Sequence, residues 1–405
     1  MYKRFSREFS NYPNQFWLMF AGMMLSTIGT AMIWPFLMIF ASEQLSLPLA
    51  AVASLMSINA GTGLVSAILA GPVVDRLGRK LAMVVGLAGS GVGYFLLSGA
   101  DSYGLFALVL GFSGLFGPLY SVGSDAMLAD LIPEGRRADA FALIRMARNI
   151  GVATGPALGG FVLSRSYSLG LFGASAGLIA YALLVLFFAR ETLPPEAVTE
   201  KTRLSQQLRG YWIALSDKPF MGLVSAFTLV QMTTALVWVL LSVYVKTQYG
   251  INEQAYGWLP TTNALMVVFL QVWLTRLTKP FPALSVLSWG SIFYIVAPLI
   301  IAVSSGFWGF WLAMVVMTIG ELVVVPRTSA YAANLAPLTM RGRYMSLYGL
   351  TWHVAAGLSP VFGGFLSDTI GPTAPWFVGA LFGALALGAF WRQGTHSPTQ
   401  DSSNS

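Results

Sequence analysis

Few side chains in this sequence can do chemistry, and most of them stand in apolar surroundings. Glu321 lies in the stretch TIGELVVVP, Thr318–Pro326. A lone ionised carboxylate there costs several kcal/mol, and burial favours its neutral form, so Glu321 suits a proton carrier. The bland alternative is a glutamate kept protonated or paired with Arg327. Asp125 sits about a turn and a half before Asp130 in another apolar segment, and it either carries protons with Glu321 or pairs with Arg145 or Arg148. Those two arginines are three residues apart and share a helical face. Arg148, followed by Asn149, would bind an anionic head group, hold a carboxylate or extend its charge to the surface. His353 titrates near neutral pH or packs as a hydrogen-bonded core residue. Cysteine is absent and there are two histidines, which excludes thiolate metal sites and disfavours a histidine-rich one. With no nucleophile–base set or phosphate loop either, the sequence implies no enzyme, no metal and no cofactor.

The elements that hold these residues follow from composition. Of 405 residues, 56% are hydrophobic and 10% charged, whereas soluble domains carry about 25% charged residues. Hydropathy predicts twelve spans of roughly 20 residues, enough to cross a hydrocarbon core. They fall at about 15–41, 50–71, 80–99, 103–131, 138–163, 167–189, 219–246, 254–275, 283–303, 306–332, 342–367 and 372–391. Basic residues on the connections, which underlie the net charge of +7, fall on alternate ones, including Arg76, Arg79, Arg136, Arg137, Arg276, Lys279, Arg341 and Arg343; on the others stand only Arg165 and Lys246. That asymmetry predicts cytoplasmic termini and makes the basic balance a topology signal, not a nucleic-acid one. The first apolar run is span-length and lacks a clear cleavage site, so no signal peptide is expected.

Positions Pro133–Phe161 recur at Pro337–Phe365, since 337 − 133 and 365 − 161 both give 204. A constant offset of half the chain predicts two related halves, with a site between parallel repeats. The expected fold is an all-α membrane protein of two pseudo-symmetric six-helix bundles, 1–189 and 219–392. A polar linker at 190–218, in which LRGYWIAL is an amphipathic surface helix, and a tail at 393–405 complete it. Pro35 is expected to kink the first span. Spans one, four, seven and ten would line a cavity whose candidate substrate-binding residues are Trp34, Arg148, Asn149, Trp238, Met266 and His353, with Tyr244 beside them.

Two motifs narrow the reading. The turn GPVVDRLGRK contains Gly71, Asp75, Arg76, Gly78 and Arg79. Gly78 permits unusual backbone angles, Asp75 can face a helix N-terminus, and Arg79 can bridge to Asp130. This G-x-x-x-D-R-x-G-R-K pattern resembles the signature loop of the major facilitator superfamily. In members resembling this chain, such a network latches the halves in the outward-facing state, which implies a latch of Asp75, Arg79 and Asp130. The corresponding turn Thr275–Pro282 lacks the acid and the glycines, so the latch should be asymmetric. The second motif is GVATGPALGG, with Gly151, Gly155, Pro156, Gly159 and Gly160. By itself it means close helix packing; it is similar to the superfamily's antiporter motif, seen mainly in drug:proton exporters. Thr318–Pro326 resembles the tenth span of some bacterial multidrug facilitators, where a glutamate is implicated in proton coupling. The chain departs from the group in having no arginine near Leu108–Gly114 and no acid in span one. The resemblance implies a monomeric, proton-coupled exporter of amphipathic small molecules in the cytoplasmic membrane. Arg145 and Arg148 motivate the alternative of an anionic metabolite or a lipid with a charged head group.

Overall fold

The computed structural model describes residues 12–133, 136–193, 211–337 and 340–396, which are helical with no strand among them. The connection at 194–210, Leu208–Gly210 of the expected surface helix, and the tail beyond 396 lie outside the described residues. The rest of that surface helix is present at 211–216, with Trp212 and Ile213 exposed.

The first half contains α1 (Asn14–Ile33), a 3-10 turn at Trp34–Phe36, α2 (Leu37–Leu45), α3 (Leu49–Leu77), α4 (Arg79–Leu97), α5 (Tyr103–Gly114), α6 (Phe116–Leu131), α7 (Arg137–Leu163) and α8 (Tyr167–Phe188). The second contains α9 (Lys218–Tyr249), α10 (Glu253–Tyr256), α11 (Trp258–Thr278), α12 (Ala283–Val303), α13 (Phe307–Leu335), α14 (Arg341–Thr369) and α15 (Ala374–His396). Helix starts at 14 and 218, 49 and 253, 79 and 283, 103 and 307, and 137 and 341 each differ by 204. The repeat therefore governs the fold well beyond the segment in which sequence identity reveals it. Among the described residues, ten helical segments are long and apolar enough to cross a membrane. Helices α7 and α14 occupy the two remaining predicted spans; they are as long, but more polar.

Three predicted spans are interrupted, each for a backbone reason. Pro35 lacks the N–H that would continue α1, and the chain tightens into the 3-10 turn. Pro118 likewise leaves the Gly114 carbonyl without its helical donor, so α5 and α6 meet at Leu115, whose carbonyl accepts from the Ser66 hydroxyl. The eighth span divides at Gly257, three residues before Pro260.

Contacts gather the chain into two compact units, residues 1–37 with 61–201, and residues 38–60 with 202–405. In the first, Phe16, Met19, Met23, Met83, Leu87, Met127 and Tyr181 form a buried core. The glycine face of α7 lies against α1: a Cβ on Gly151 would sit 2.6 Å from Thr27 Cβ, one on Gly155 2.6 Å from Ala31 Cβ, and one on Gly159 would strike the Met32 carbonyl oxygen. The four-residue spacing thus serves backbone approach. In the second unit α9 packs on α14, and the Ser359 hydroxyl donates to the Met232 carbonyl at 2.7 Å. That unit also clamps the start of α3. Both carboxylate oxygens of Asp368 accept backbone N–H groups there, from Leu49 at 3.0 Å and Ala50 at 2.8 Å. The Lys246 ammonium is shared between Glu43 and Glu253.

Two substitutions test the glycine face. Gly159→Ala forces a methyl onto a carbonyl and should lower the thermal unfolding midpoint in detergent, at an overpacking cost of about 1–3 kcal/mol. Gly177→Ala, in α8 with nothing within 4 Å of the added Cβ, should be neutral or stabilising by about 0.5–1 kcal/mol. Equal effects would remove the packing explanation. Asp368→Ala removes an anionic cap and should cost about 0.5–2 kcal/mol, read in the same assay.

Candidate functional site

Glu321 lies midway along α13, partly buried. Its Oε2 accepts a 2.8 Å hydrogen bond from Nδ2 of Asn263 on α11. The same Nδ2 donates to the Thr318 hydroxyl at 3.0 Å, and Thr318 donates to the Met314 carbonyl at 2.7 Å. One amide thus ties the carboxylate to a hydroxyl one turn away on its own helix. Arg327 is not its partner. It lies on α13 beyond Pro326, and its guanidinium donates to the carbonyls of Thr278 at 2.8 Å, Lys279 at 2.9 Å and Phe281. The pairing weighed from sequence is therefore excluded, and Glu321 keeps a neutral donor. Tyr294, fully buried on α12, packs against Gly320, with its ring 3.0 Å from where a Cβ on that glycine would stand. Its hydroxyl lies within electrostatic range of Glu321, beside Thr234, without meeting hydrogen-bond geometry to either.

A second constellation surrounds the charged turn between α3 and α4. Gly78 has φ +90° and is the N-cap of α4, a left-handed conformation that favours glycine. Arg79 is largely buried; its Nε donates to Asp130 Oδ2 at 3.1 Å, and its Nη1 lies 3.2 Å from Asp75 Oδ1. The expectation that Asp75 faces a helix N-terminus is not met: its side chain is 67% exposed and reaches forward one turn to Arg79. Glu191, just past α8, takes that place. Its carboxylate accepts from the backbone N–H groups of Arg79 at 3.0 Å, Lys80 at 3.1 Å, Thr192 at 2.8 Å and Leu193 at 2.9 Å. A side chain on Gly78 would collide with it. Burial works to raise the Glu191 carboxyl, but the four backbone donors outweigh it and hold the group below the usual glutamate range. Gln15 completes the arrangement, donating to the Arg190 carbonyl at 2.9 Å and accepting from its N–H at 3.1 Å. Arg76 is exposed, and a Cβ on Gly71 would meet nothing within 4 Å.

Asp125 and Arg148 are both exposed. The Arg148 charge acts on Asp125 and on Tyr120 without closing an ion pair within 4.0 Å. Arg145 is exposed on the same helix. The substrate-binding candidates divide three and three between the units. Trp34 and Asn149 are half-buried and Arg148 exposed in the first, while Trp238, Met266 and His353 are half-buried in the second. His353 Nδ1 is buried without a hydrogen-bond partner, so the packed, hydrogen-bonded role is not met at that nitrogen. Tyr244 is 5% exposed and packs among Tyr249, Phe310 and Trp376. Pro156 and Gly160 are buried in α7. Among the described residues no group of three or more histidines, aspartates and glutamates is placed to hold a metal ion.

Sequence reasoning gave no role to Asn263, Tyr294 or Glu191. Asn263 did carry a signal, since it stands 204 residues after Asn59. Glu191 is 112 residues from Arg79, and no local pattern joins them.

The model of the Major Facilitator Superfamily matches residues 19–236 and 223–405. The chain belongs to that superfamily. A Na(+), Li(+), K(+)/H(+) antiporter of Planococcus maritimus is 31% identical over 360 residues, covering 82% of this chain and 84% of that protein. The quinolone resistance protein NorA of Staphylococcus aureus is 21% identical over 324 residues, covering 80% and 82%. Among solved structures, a POT family transporter in complex with a thioalcohol-conjugated peptide superimposes with a TM-score of 0.77 at 18% identity, over 95% of each chain. A mutant of the nucleoside transporter NupG gives 0.79 at 12% identity, over 94% of this chain and 100% of that one. The fold is the superfamily's, and the protein is a multi-pass membrane protein and a secondary-active transporter that moves small molecules or ions.

The charged turn makes a pH-dependent prediction. Because folding lowers the Glu191 carboxyl, its contribution to stability is present at neutral pH and is lost as pH falls through the folded value. Glu191→Gln should lower the unfolding midpoint at neutral pH and flatten the acid limb of the profile. A variant whose curve parallels the wild type down to the acid limb would show that the carboxylate charge contributes nothing.

Proposed function

We propose that this protein is a proton-coupled antiporter that exports amphipathic small molecules by alternating access, with Glu321 as the proton carrier. One observation carries the reading: a membrane-embedded carboxylate is held by a neutral amide, and the nearest arginine on its helix is engaged by backbone carbonyls. An acid locked to a guanidinium has little freedom to exchange its proton, whereas an acid bonded to Asn263 can take up a proton or a cationic group. The glycine face of α7, where the superfamily's antiporter motif lies, supports exchange. Relatives whose names attach proton exchange to alkali cations and resistance to quinolones agree with it.

In this mechanism Glu321 binds a proton from one side, the two repeats reorient around the membrane midplane, and cargo displaces the proton. The charged turn of Asp75, Arg79 and Asp130, anchored by Glu191, holds one of the two states, and both termini face the cytoplasm. Asp125 is a second titratable group in this scheme. Arg148 faces Asp125, so its charge is partly answered within the protein, which weighs against an anionic cargo.

The test is transport in proteoliposomes. Wild-type protein should move an amphipathic cation against its gradient when a proton gradient is imposed. Glu321→Gln should abolish that coupling while leaving cargo binding within about tenfold, or about 1.4 kcal/mol. Undiminished gradient-driven transport by Glu321→Gln would remove the proposed role.

A further inference from the structure

Besides the proton it exchanges in the proposed mechanism, the Glu321 carboxylate can take other partners. The oxygen chemistry around it selects among them, and the choice rests on Glu321 being the exchanging group. Hydrogen bonds join Glu321 and Thr318 on α13 to Asn263 on α11, and the hydroxyl of Tyr294 on α12, in the same unit, stands within electrostatic range of Glu321. Every one carries an oxygen. We propose that Glu321, Asn263, Thr318 and Tyr294 form a binding site for an inorganic monovalent cation, which competes with the proton for this carboxylate.

Three features point to it. The first is the Asn263 amide. Its Nδ2 bridges Glu321 Oε2 and Thr318 Oγ1, the orientation that suits a bare carboxylate. Turning the amide by half a revolution withdraws both bonds at once. It brings Oδ1 to the carboxylate side and frees a lone pair on Thr318, whose proton stays on the Met314 carbonyl. A carbonyl, a carboxylate and a hydroxyl then face one point, and oxygens of this kind are the ligands hard cations prefer. The second is Tyr294. Its hydroxyl is buried without meeting hydrogen-bond geometry and stands within electrostatic range of Glu321. A buried hydroxyl left without a partner is costly, and a cation at the carboxylate would supply one. The third is charge. One carboxylate neutralises one positive charge, and a divalent ion would bury a net positive charge at a cost of several kcal/mol.

The charged and titratable groups that bear on this point are few. Tyr294 of α12 is within electrostatic range of Glu321 and of Tyr348 on α14. Arg327 of α13 is held by carbonyls, and α11 contributes the neutral Asn263. Competition should therefore be between one cation and one proton on one carboxylate.

Purified full-length protein in detergent is unfolded thermally in sodium chloride, lithium chloride or choline chloride at matched ionic strength, above and below neutral pH. Sodium or lithium should raise the midpoint over choline above neutrality, because a ligand of the native state stabilises it, and the rise should shrink below neutrality. Glu321→Gln should abolish the rise. Asn263→Ala, which keeps the acid, should weaken the apparent affinity about tenfold or more and serves if the glutamine variant does not fold. Equal midpoints in sodium and choline, or a sodium shift that persists in Glu321→Gln, overturns the site. Proton release on binding an organic cation is measured on the same samples. If that release survives in wild type while sodium has no effect, the cation site falls and the antiporter stands; if Glu321→Gln releases protons as wild type does, the antiporter reading falls as well.

Discussion

A carboxyl group can ionise in an apolar helix only if something meets its charge, and at Glu321 the group in place to do so is an amide. The Asn263–Glu321 bond is the interaction on which the proposed chemistry depends. A hydrogen bond to a charged group contributes roughly 1.5–3 kcal/mol, while removing a carboxylate from water costs several kcal/mol even after relaxation. The amide offsets part of that cost, enough to orient the side chain but not enough to fix its charge. A guanidinium would have fixed it. The structure keeps the guanidinium away by giving Arg327 three carbonyls at the turn after α11.

That same turn shows how the two halves diverge while their helices keep register. In the first unit the turn between α3 and α4 carries the cation, Arg79, which reaches to an acid on α6. In the second unit the corresponding turn offers carbonyls, and the cation, Arg327, comes from α13, the repeat partner of α5 and α6. Both turns are bound to the same neighbouring span, with donor and acceptor exchanged. The first arrangement uses carboxylates, and through Glu191 its stability depends on pH. The second uses backbone carbonyls, which do not titrate. Asymmetry was legible in the sequence as the loss of acid and glycines at Thr275–Pro282; the exchange of roles was not, because Arg327 lies far along the chain from the residues it holds.

What could be read in advance follows the range of the forces involved. Helix positions are set by apolar runs and charged turns, which are local, and the 204-residue offset carries them from one half to the other. The interruptions at Leu115 and Gly257 escaped because hydropathy does not register a missing backbone donor, although Pro118 and Pro260 marked both places. Asp75 was misread for a related reason. An acid near a helix start looks like its cap, but Asp75 ends the preceding helix, four residues before Arg79. The open N–H groups of α4 point to a carboxylate 112 residues later in the chain. Glu321 stood out because isolation is a local property. Its donor, 58 residues away, is a tertiary fact.

Helices α7 and α14 bring these arguments together. They are the two long helices absent from those apolar enough to span a membrane, yet they begin 204 residues apart and pack on the repeat partners α1 and α9. Close approach explains how they hold their places. Glycines on α7 and Ser359 on α14 bring backbone or hydroxyl against the neighbouring helix, so that packing, not lipid affinity, fixes them. Their polarity then has a second consequence. Arg145 and Arg148 are exposed on α7, and a guanidinium in a membrane span is stable only toward protein or water. The polar face of α7 must therefore turn from lipid, and with it the open Arg148–Asp125 arrangement, in which two opposite charges sense each other without closing. An ion pair left open in a dry core would be costly; left open beside water it is inexpensive.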